Sequence, residues 1–287
     1  MMAQIPEVII CGLLMGLVYS LAATGLTIIW GVMGIINFAH GEFLMLGMFA
    51  AFWLNCLVSL DPVFSIPLAA LGVGLLSIII YQFILKRIVG ASLLVTLLCT
   101  FGLAIAIRGM AQFFWGPNYR MIPNCMLHGS FSIADLYISV PKLVAGLISG
   151  AVAIAVYFIL KKSRQGRAIQ AISMDKEAAM LKGINADWLY ALTFAIGGVC
   201  AGVAGALISS FHPISPHAGA VFVLITFTCV ALGGFGSIEG AFLAGIIIGV
   251  AQALGGYLIA PAFEYAIIFL IYIVIVLIQP KGLFKGW

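Results

Sequence analysis

Apolar stretches, each long enough to be read as a helix of several turns, follow one another along the chain with only short polar breaks between them. The pattern predicts membrane-crossing helices over 8–29, 43–60, 64–85, 91–114, 140–160, 186–210, 219–236, 239–258 and 263–279, since a helix needs about 20 apolar residues to cross the hydrocarbon core. Strands of an outer-membrane barrel would alternate in polarity instead of running on unbroken. Prolines support the breaks. Pro6, Pro62, Pro117, Pro123, Pro141, Pro213, Pro216, Pro261 and Pro280 fall at or between predicted ends, and only Pro67 lies inside a span, in its first turn, where a missing N–H is tolerated. The expected fold class is all-α: a polytopic membrane protein of about 8–9 transmembrane helices forming a single domain over 1–287.

The segment Lys161–Asn185 interrupts this pattern. It holds Lys161, Lys162, Arg164, Arg167, Lys176 and Lys182, six of the thirteen cationic residues, and must sit in water. Its middle reads as one short amphipathic helix with Ala168, Ile169, Ile172, Ala179, Met180 and Leu181 on the apolar side. Asp175 and Glu177 precede the Ala178–Leu181 run as acids favoured at a helix N-terminus; Gly183 and Asn185 are stop signals. Together with Lys86, Arg87, Lys281 and Lys285, this segment places ten cations where the positive-inside rule expects the cytoplasm. An even number of crossings must separate these positions, which puts four crossings in 186–279, the C-terminus inside and, with nine crossings in all, the N-terminus outside. If 219–258 crosses only once, the count is eight and one of the charge assignments fails.

Composition adds little that the pattern lacks. The chain is 64% hydrophobic and 8% charged, with a mean hydropathy of +1.24, far from soluble averages. Its net charge of +4 is accounted for by the cytoplasmic cations and calls for no nucleic acid. The first apolar run lacks a cationic lead and carries Glu7, so it is not expected to be cleaved. Six cysteines are scattered singly; most read as buried small hydrophobes, and Cys125 as a free thiol in an external loop. That loop, Trp115–Ser139, reads as polar and irregular. With Phe211–Gly219 it makes either a docking face for an external protein or a set of plain connections. Of the 33 glycines, Gly12/Gly16, Gly198/Gly202, Gly236/Gly240 and Gly245/Gly249 lie four apart, a spacing that lets helices approach closely in lipid.

Two stretches could carry chemistry. In Asn37-Phe38-Ala39-His40-Gly41-Glu42, the residues Asn37, His40 and Gly41 are expected to share a helical face, with Glu42 pointing elsewhere. The stretch reads either as a broken-helix element on a transport path or as a polar turn at the cytoplasmic edge, with Asn37 and Glu42 capping the next helix. Metal binding is not expected, because one His and one Glu two residues apart supply too few ligands. The later Gly233–Gly245 stretch, with Gly236 and Glu239, repeats the punctuation of glycine and acid followed by Phe-Leu, as internal repeats in transporters do. Arg108, the cation well inside a span, is expected to snorkel outward or to pair with Glu264. Neither GxxxxGK[ST], GxSxG nor HExxH occurs, so no P-loop and no hydrolase is signalled and the chain is not read as an enzyme.

NFAHGEF at 37–43, GRAIQAISMDKEAAMLKGIN at 166–185 and GGFGSIEGAFLAG at 233–245 together resemble the LivH-type permease subunits of branched-chain amino acid ABC importers, in order and over essentially the whole chain. The resemblance implies a permease domain with a cytoplasmic coupling loop at 161–185, in a bacterial inner membrane. It implies a heterodimer with a homologous LivM-type permease, two cytoplasmic ABC ATPases that use ATP and Mg, and a periplasmic binding protein that delivers the substrate. No cofactor is implied in this chain itself. Asp175, Glu177, Ala178, Ala179 and Gly183 take the place of the element that docks on the ATPase. Glu239 departs from the family pattern, which has a proline nearby. Permeases for urea, short amides or other small solutes are the nearest alternatives; a stand-alone secondary transporter using Asn37 to Glu42 is a more distant one.

Overall fold

The computed structural model describes residues 5–122, 129–133, 136–279 and 282–284. Its helices are α1 (Ile5–Met33), α2 (His40–Val58), α3 (Pro62–Phe83), α4 (Leu93–Trp115), α5 (Val140–Lys162), α6 (Arg164–Met174), α7 (Lys176–Leu181), α8 (Ala186–Ile208), α9 (Ala218–Gly233), α10 (Ile238–Leu258) and α11 (Glu264–Ile278). Among the described residues, eight helical stretches are long and apolar enough to cross a membrane; α9, with 16 residues, is shorter. The loop expected to be irregular contains an antiparallel hairpin, β1 (Ser130–Ile133) and β2 (Leu136–Ser139). Cys125 lies outside the described residues.

The helices run between two ends, and their contacts fix their directions. Gly12 of α1 faces Val250 and Ala253 of α10, Gly16 faces Ile246, and Ser20 Oγ donates to the Phe242 carbonyl, so α1 and α10 are antiparallel. Gly146 and Gly150 of α5 meet Leu14 and Leu17, making α5 parallel to α1. Ala69 to Ser77 of α3 run antiparallel to Gly198 and Gly202 of α8. One end therefore gathers the last turns of α1, α3, α5 and α9, the helices α6 and α7, and the starts of α4, α8 and α10. The chain's last described residues join it, Leu283 N donating to the Leu232 carbonyl at 2.8 Å. Lys86, Arg87, Lys161, Lys162 and 164–185 all lie there. The 209–233 stretch returns from the far end, where Ile214 pairs with Arg120, to this one, and α10 leads back.

Lipid offers helices no hydrophobic reward for associating, so close backbone approach has to hold them. A Cβ on Gly16 would stand 2.7 Å from Ile246 Cα, and one on Gly12 2.8 Å from Val250 Cα. The core is centred on α1, α2, α8 and α9, whereas α3, α4 and α11 leave Leu71, Leu98, Phe113 and Leu277 exposed. Asp61 caps α3, Oδ1 accepting from Val63 N at 3.0 Å, so that helix starts two residues before the predicted span. Pro67 is consequently its sixth residue, beyond the first turn where it was expected. Gly16→Val should lower the thermal midpoint and the monodisperse fraction in detergent, while Gly102→Ala, whose Cβ meets nothing within 4 Å, should leave both unchanged; fluorescence-detected size exclusion after heating measures this.

Candidate functional site

Helix α1 ends at Met33, and Gly34 turns the chain with φ +64°. Residues 35–38 then double back, their backbone N–H groups making no helical bond. The helix α2 starts only at His40, whose Nε2 meets the Ala22 carbonyl at 3.0 Å. A carbonyl only accepts, so Nε2 carries the proton. Ala22 lies eleven residues before Met33, roughly 16 Å along α1 at 1.5 Å per residue, so α2 begins deep inside the bundle.

Unwound backbone at that depth must find partners. Thr100 of α4 supplies two: its Oγ1 donates to the Ile36 carbonyl (2.7 Å) and accepts from Phe38 N (3.4 Å). Asn37 Oδ1 accepts from Ala39 N at 3.1 Å. Asn37 thus organises the turn ahead of α2; it does not share a helical face with His40 and Gly41 as the pattern predicted, because the helix starts three residues later. Nor does either expected cap form. Ala39 occupies the N-cap position without a side-chain bond.

Glu42 is turned toward α4 instead. Its Oε1 accepts from Arg108 Nε at 3.1 Å and from Arg108 Nη2, with Glu42 1% and Arg108 27% exposed. The expectations that Arg108 snorkels or pairs with Glu264 are both overturned, because Glu42 is the carboxylate within reach. Gly41 and Gly219 let the start of α9 pack on the start of α2: a Cβ on Gly219 would stand 2.7 Å from Glu42 Cδ. Beside the Arg108 contact, Asn37 Nδ2, His40 Nδ1 and Glu42 Oε2 are buried without a protein partner among the described residues. Next to this polar knot, on the side of the cationic end, lies an apolar cavity of about 250 Å³ lined by Trp30, Ile36, Phe38, Leu97, Phe227 and Tyr272 among others.

The cationic segment folds as two helices where one was expected, because Asp175 breaks it. Asp175 ends α6 with φ −156° and caps α7, Oδ1 accepting from Ala178 N at 3.0 Å. Ser163 caps α6 by accepting from Gly166 N (2.9 Å), and Gly166 packs directly on Leu160. Ile169, Ile172 and Ala179 are buried against the bundle. Met180 and Leu181 do not join them, contrary to the one-helix pattern: Met174, Met180 and Leu181 are 81%, 52% and 90% exposed. Glu177 and Ala178 are also exposed. Gly183 ends α7 with φ +79°, whereas Asn185 starts α8, accepting from Trp188 N at 3.1 Å.

Glu239, in the first turn of α10, is exposed; Tyr157 OH donates to it at 2.5 Å and Lys161 Nζ stands 3.5 Å away. Gly236, with φ +83°, turns the chain into α10, and Ser237 caps that helix by accepting from Gly240 N. The Gly236–Glu239 stretch therefore sits at the cationic end and does not meet the buried His40–Glu42 stretch, so the two similar sequences form no common site. Sequence reasoning missed the Glu42–Arg108 pair. Glu42 reads from the pattern as part of a polar turn between two spans, and only the start of α2 against Ala22 carries it to the depth of Arg108.

Comparison with known proteins places this geometry. The model of the family "Branched-chain amino acid transport system / permease component" matches residues 8–277. The permease protein BraD of a high-affinity branched-chain amino acid transport system in Pseudomonas aeruginosa is 31% identical, over 95% of this chain and 93% of its own. The corresponding LivH of Salmonella typhimurium is 30% identical over 95% and 92%. Among solved structures, a chain of PsaBC from Streptococcus pneumoniae in complex with Fab shares the fold, with a TM-score of 0.51 and 14% identity over 98% and 97% of the two chains.

Breaking a fully buried ion pair costs roughly 3–5 kcal/mol because the surviving charge is stranded; the exposure of Arg108 puts this pair below that range. Glu42→Gln and Arg108→Met should each lower the melting temperature of the purified chain, and the double variant should lose less than the two single losses added together. Differential scanning fluorimetry in one detergent checks the cycle.

Proposed function

The chain belongs to the branched-chain amino acid transport permease family, and from that premise we propose that it is a membrane subunit of an ATP-driven importer that passes leucine, isoleucine or valine into a bacterial cytoplasm. The high-affinity systems of BraD and LivH motivate the substrate class. Its partners in this reading are a second, homologous permease, two ATPases and a binding protein on the outer side. ATP and its metal are used by the ATPases and not by this chain. The charge asymmetry supports an orientation with the α6–α7 end and the C-terminus in the cytoplasm and the N-terminus outside.

The observation that carries the proposal is the α6–α7 pair. It is fastened to the bundle on one side by Gly166, Ile169, Ile172 and Ala179, and presents Met174, Met180 and Leu181 to solvent on the other. Large apolar groups left bare on a polar, water-facing element mark a docking surface. An ATPase gripping them can pull on α5 and α8, which flank the pair, and so rock the helices that enclose the path. Asp175 fixes the start of the gripping helix and Gly183 its end, with Glu177, Ala178 and Ala179 between them. The apolar cavity beside Phe38 suits a branched aliphatic side chain, and the Asn37–Glu42 turn with Arg108 is the polar element of the path.

Leu181→Asp changes a side chain that touches little of its own chain. In a tagged pull-down it should abolish recovery of the ATPase while the second permease is still recovered. Gly183→Val, which forces a β-branched residue to φ +79°, should retain some ATPase binding but cut ATP-driven leucine uptake by about tenfold. Full recovery and full uptake in both variants would refute the docking role.

A further inference from the structure

At the end opposite α6 and α7, a cavity of about 250 Å³ opens between α1, α10 and the starts of α5 and α11, with Phe211 and His212 at its rim. Its lining carries both signs of charge, Lys142 from α5 and Glu264 from α11. The ion pairs among the described residues are Lys86–Asp187, Arg108–Glu42 and Lys161–Glu239, and neither Lys142 nor Glu264 belongs to one. Glu264 is instead positioned by a relay of neutral groups. Tyr19 OH donates to Gln252 Oε1 at 2.8 Å, and Gln252 Nε2 reaches Glu264 Oε2 at 3.4 Å. Gly256 keeps the carboxylate close to α10, since a Cβ there would stand 2.7 Å from Glu264 Oε1.

Two opposite charges that share a cavity without neutralising each other are each costly at the edge of a bilayer. A ligand that carries one charge of each sign on neighbouring atoms relieves both costs. Met15, Phe211 and Phe222 in the same lining offer apolar contact to whatever the charged head carries. We propose that this cavity is a binding site for an α-amino acid, with Lys142 facing its carboxylate, Glu264 its ammonium group, and Met15, Phe211 and Phe222 its side chain. The site is separate from the Glu42–Arg108 knot and lies at the end opposite α6 and α7. The assignment of an amino acid rests on the transport function proposed above; the pairing of opposite charges does not.

The test uses the whole assembly with the partners that co-purify, in nanodiscs of phosphatidylglycerol, which bring no zwitterionic headgroup, and without binding protein or nucleotide. Binding of radiolabelled leucine is competed with 3-methylbutylamine, which has only the ammonium, and with 4-methylpentanoate, which has only the carboxylate. Lys142→Met should weaken leucine about tenfold and remove competition by 4-methylpentanoate while the amine still competes; Glu264→Gln should do the reverse. Absence of leucine binding in the wild type, unchanged binding in both variants, or loss of both competitors together in each variant overturns the proposal. ATP-driven uptake by the wild type with its binding protein, measured in parallel, separates the two readings. Normal uptake with any of those three results rejects the cavity alone, and failure to take up any branched-chain amino acid rejects the transport function.

Discussion

The constraint on which this structure depends is that a backbone inside lipid has to satisfy its own polar groups. Nearly every helix meets it internally, and a deep exception is the return from Gly34 to Ala39. There the missing helical bonds are replaced by Thr100 Oγ1, which serves both the Ile36 carbonyl and Phe38 N, and by the Asn37 side chain. The same replacement brings α4 alongside, and with it Arg108 against Glu42. A polar segment too expensive to leave bare thus recruits a neighbouring helix. The recruited helix then has its other face free, with Leu98, Phe101 and Phe113 exposed.

Close backbone packing does the rest. The crossing of α1 with α10 and that of α2 with α8 and α9 run through glycines whose missing side chains are occupied by the facing helix. Because such contacts are short-range and leave no voids, the packed helices resist deformation and transmit strain. In the proposed importer, a pull applied at α6 and α7 would be passed along α5 and α8, the helices that flank the pair. In the proposed importer this rigidity links nucleotide hydrolysis on one side of the membrane to release of substrate across it.

How much of this was legible beforehand follows from range. Helices long enough to cross, and the cationic break between them, are local properties of composition and were read to within a few residues for most spans. Asp175 was read as an N-terminal acid and is one, but its extended φ splits the segment in two, and no local pattern said that Met180 and Leu181 would turn away from the bundle. The depth at which α2 starts was not readable, because it depends on His40 finding the Ala22 carbonyl of a different helix. Thirteen cations divide into ten that the positive-inside rule assigns to the cytoplasm and three that it does not, Arg108, Arg120 and Lys142. The three exceptions were the underused signal. Arg108 holds Glu42, Arg120 stacks over Phe52 and Trp53 at 5.3 and 5.4 Å, and Lys142 lines the far cavity.

Both the ATPase-docking role of α6 and α7 and the amino-acid site beside Lys142 require the cationic end to face the cytoplasm. The measurement that tests this most directly is labelling of single cysteines, introduced at Lys182 and at His217 in a cysteine-free background, with a membrane-impermeant maleimide. In right-side-out spheroplasts the account predicts labelling at 217 and protection at 182, with the pattern reversed for 182 in inverted vesicles. Labelling at 182 from outside intact spheroplasts would contradict the orientation and the functional assignment built on it.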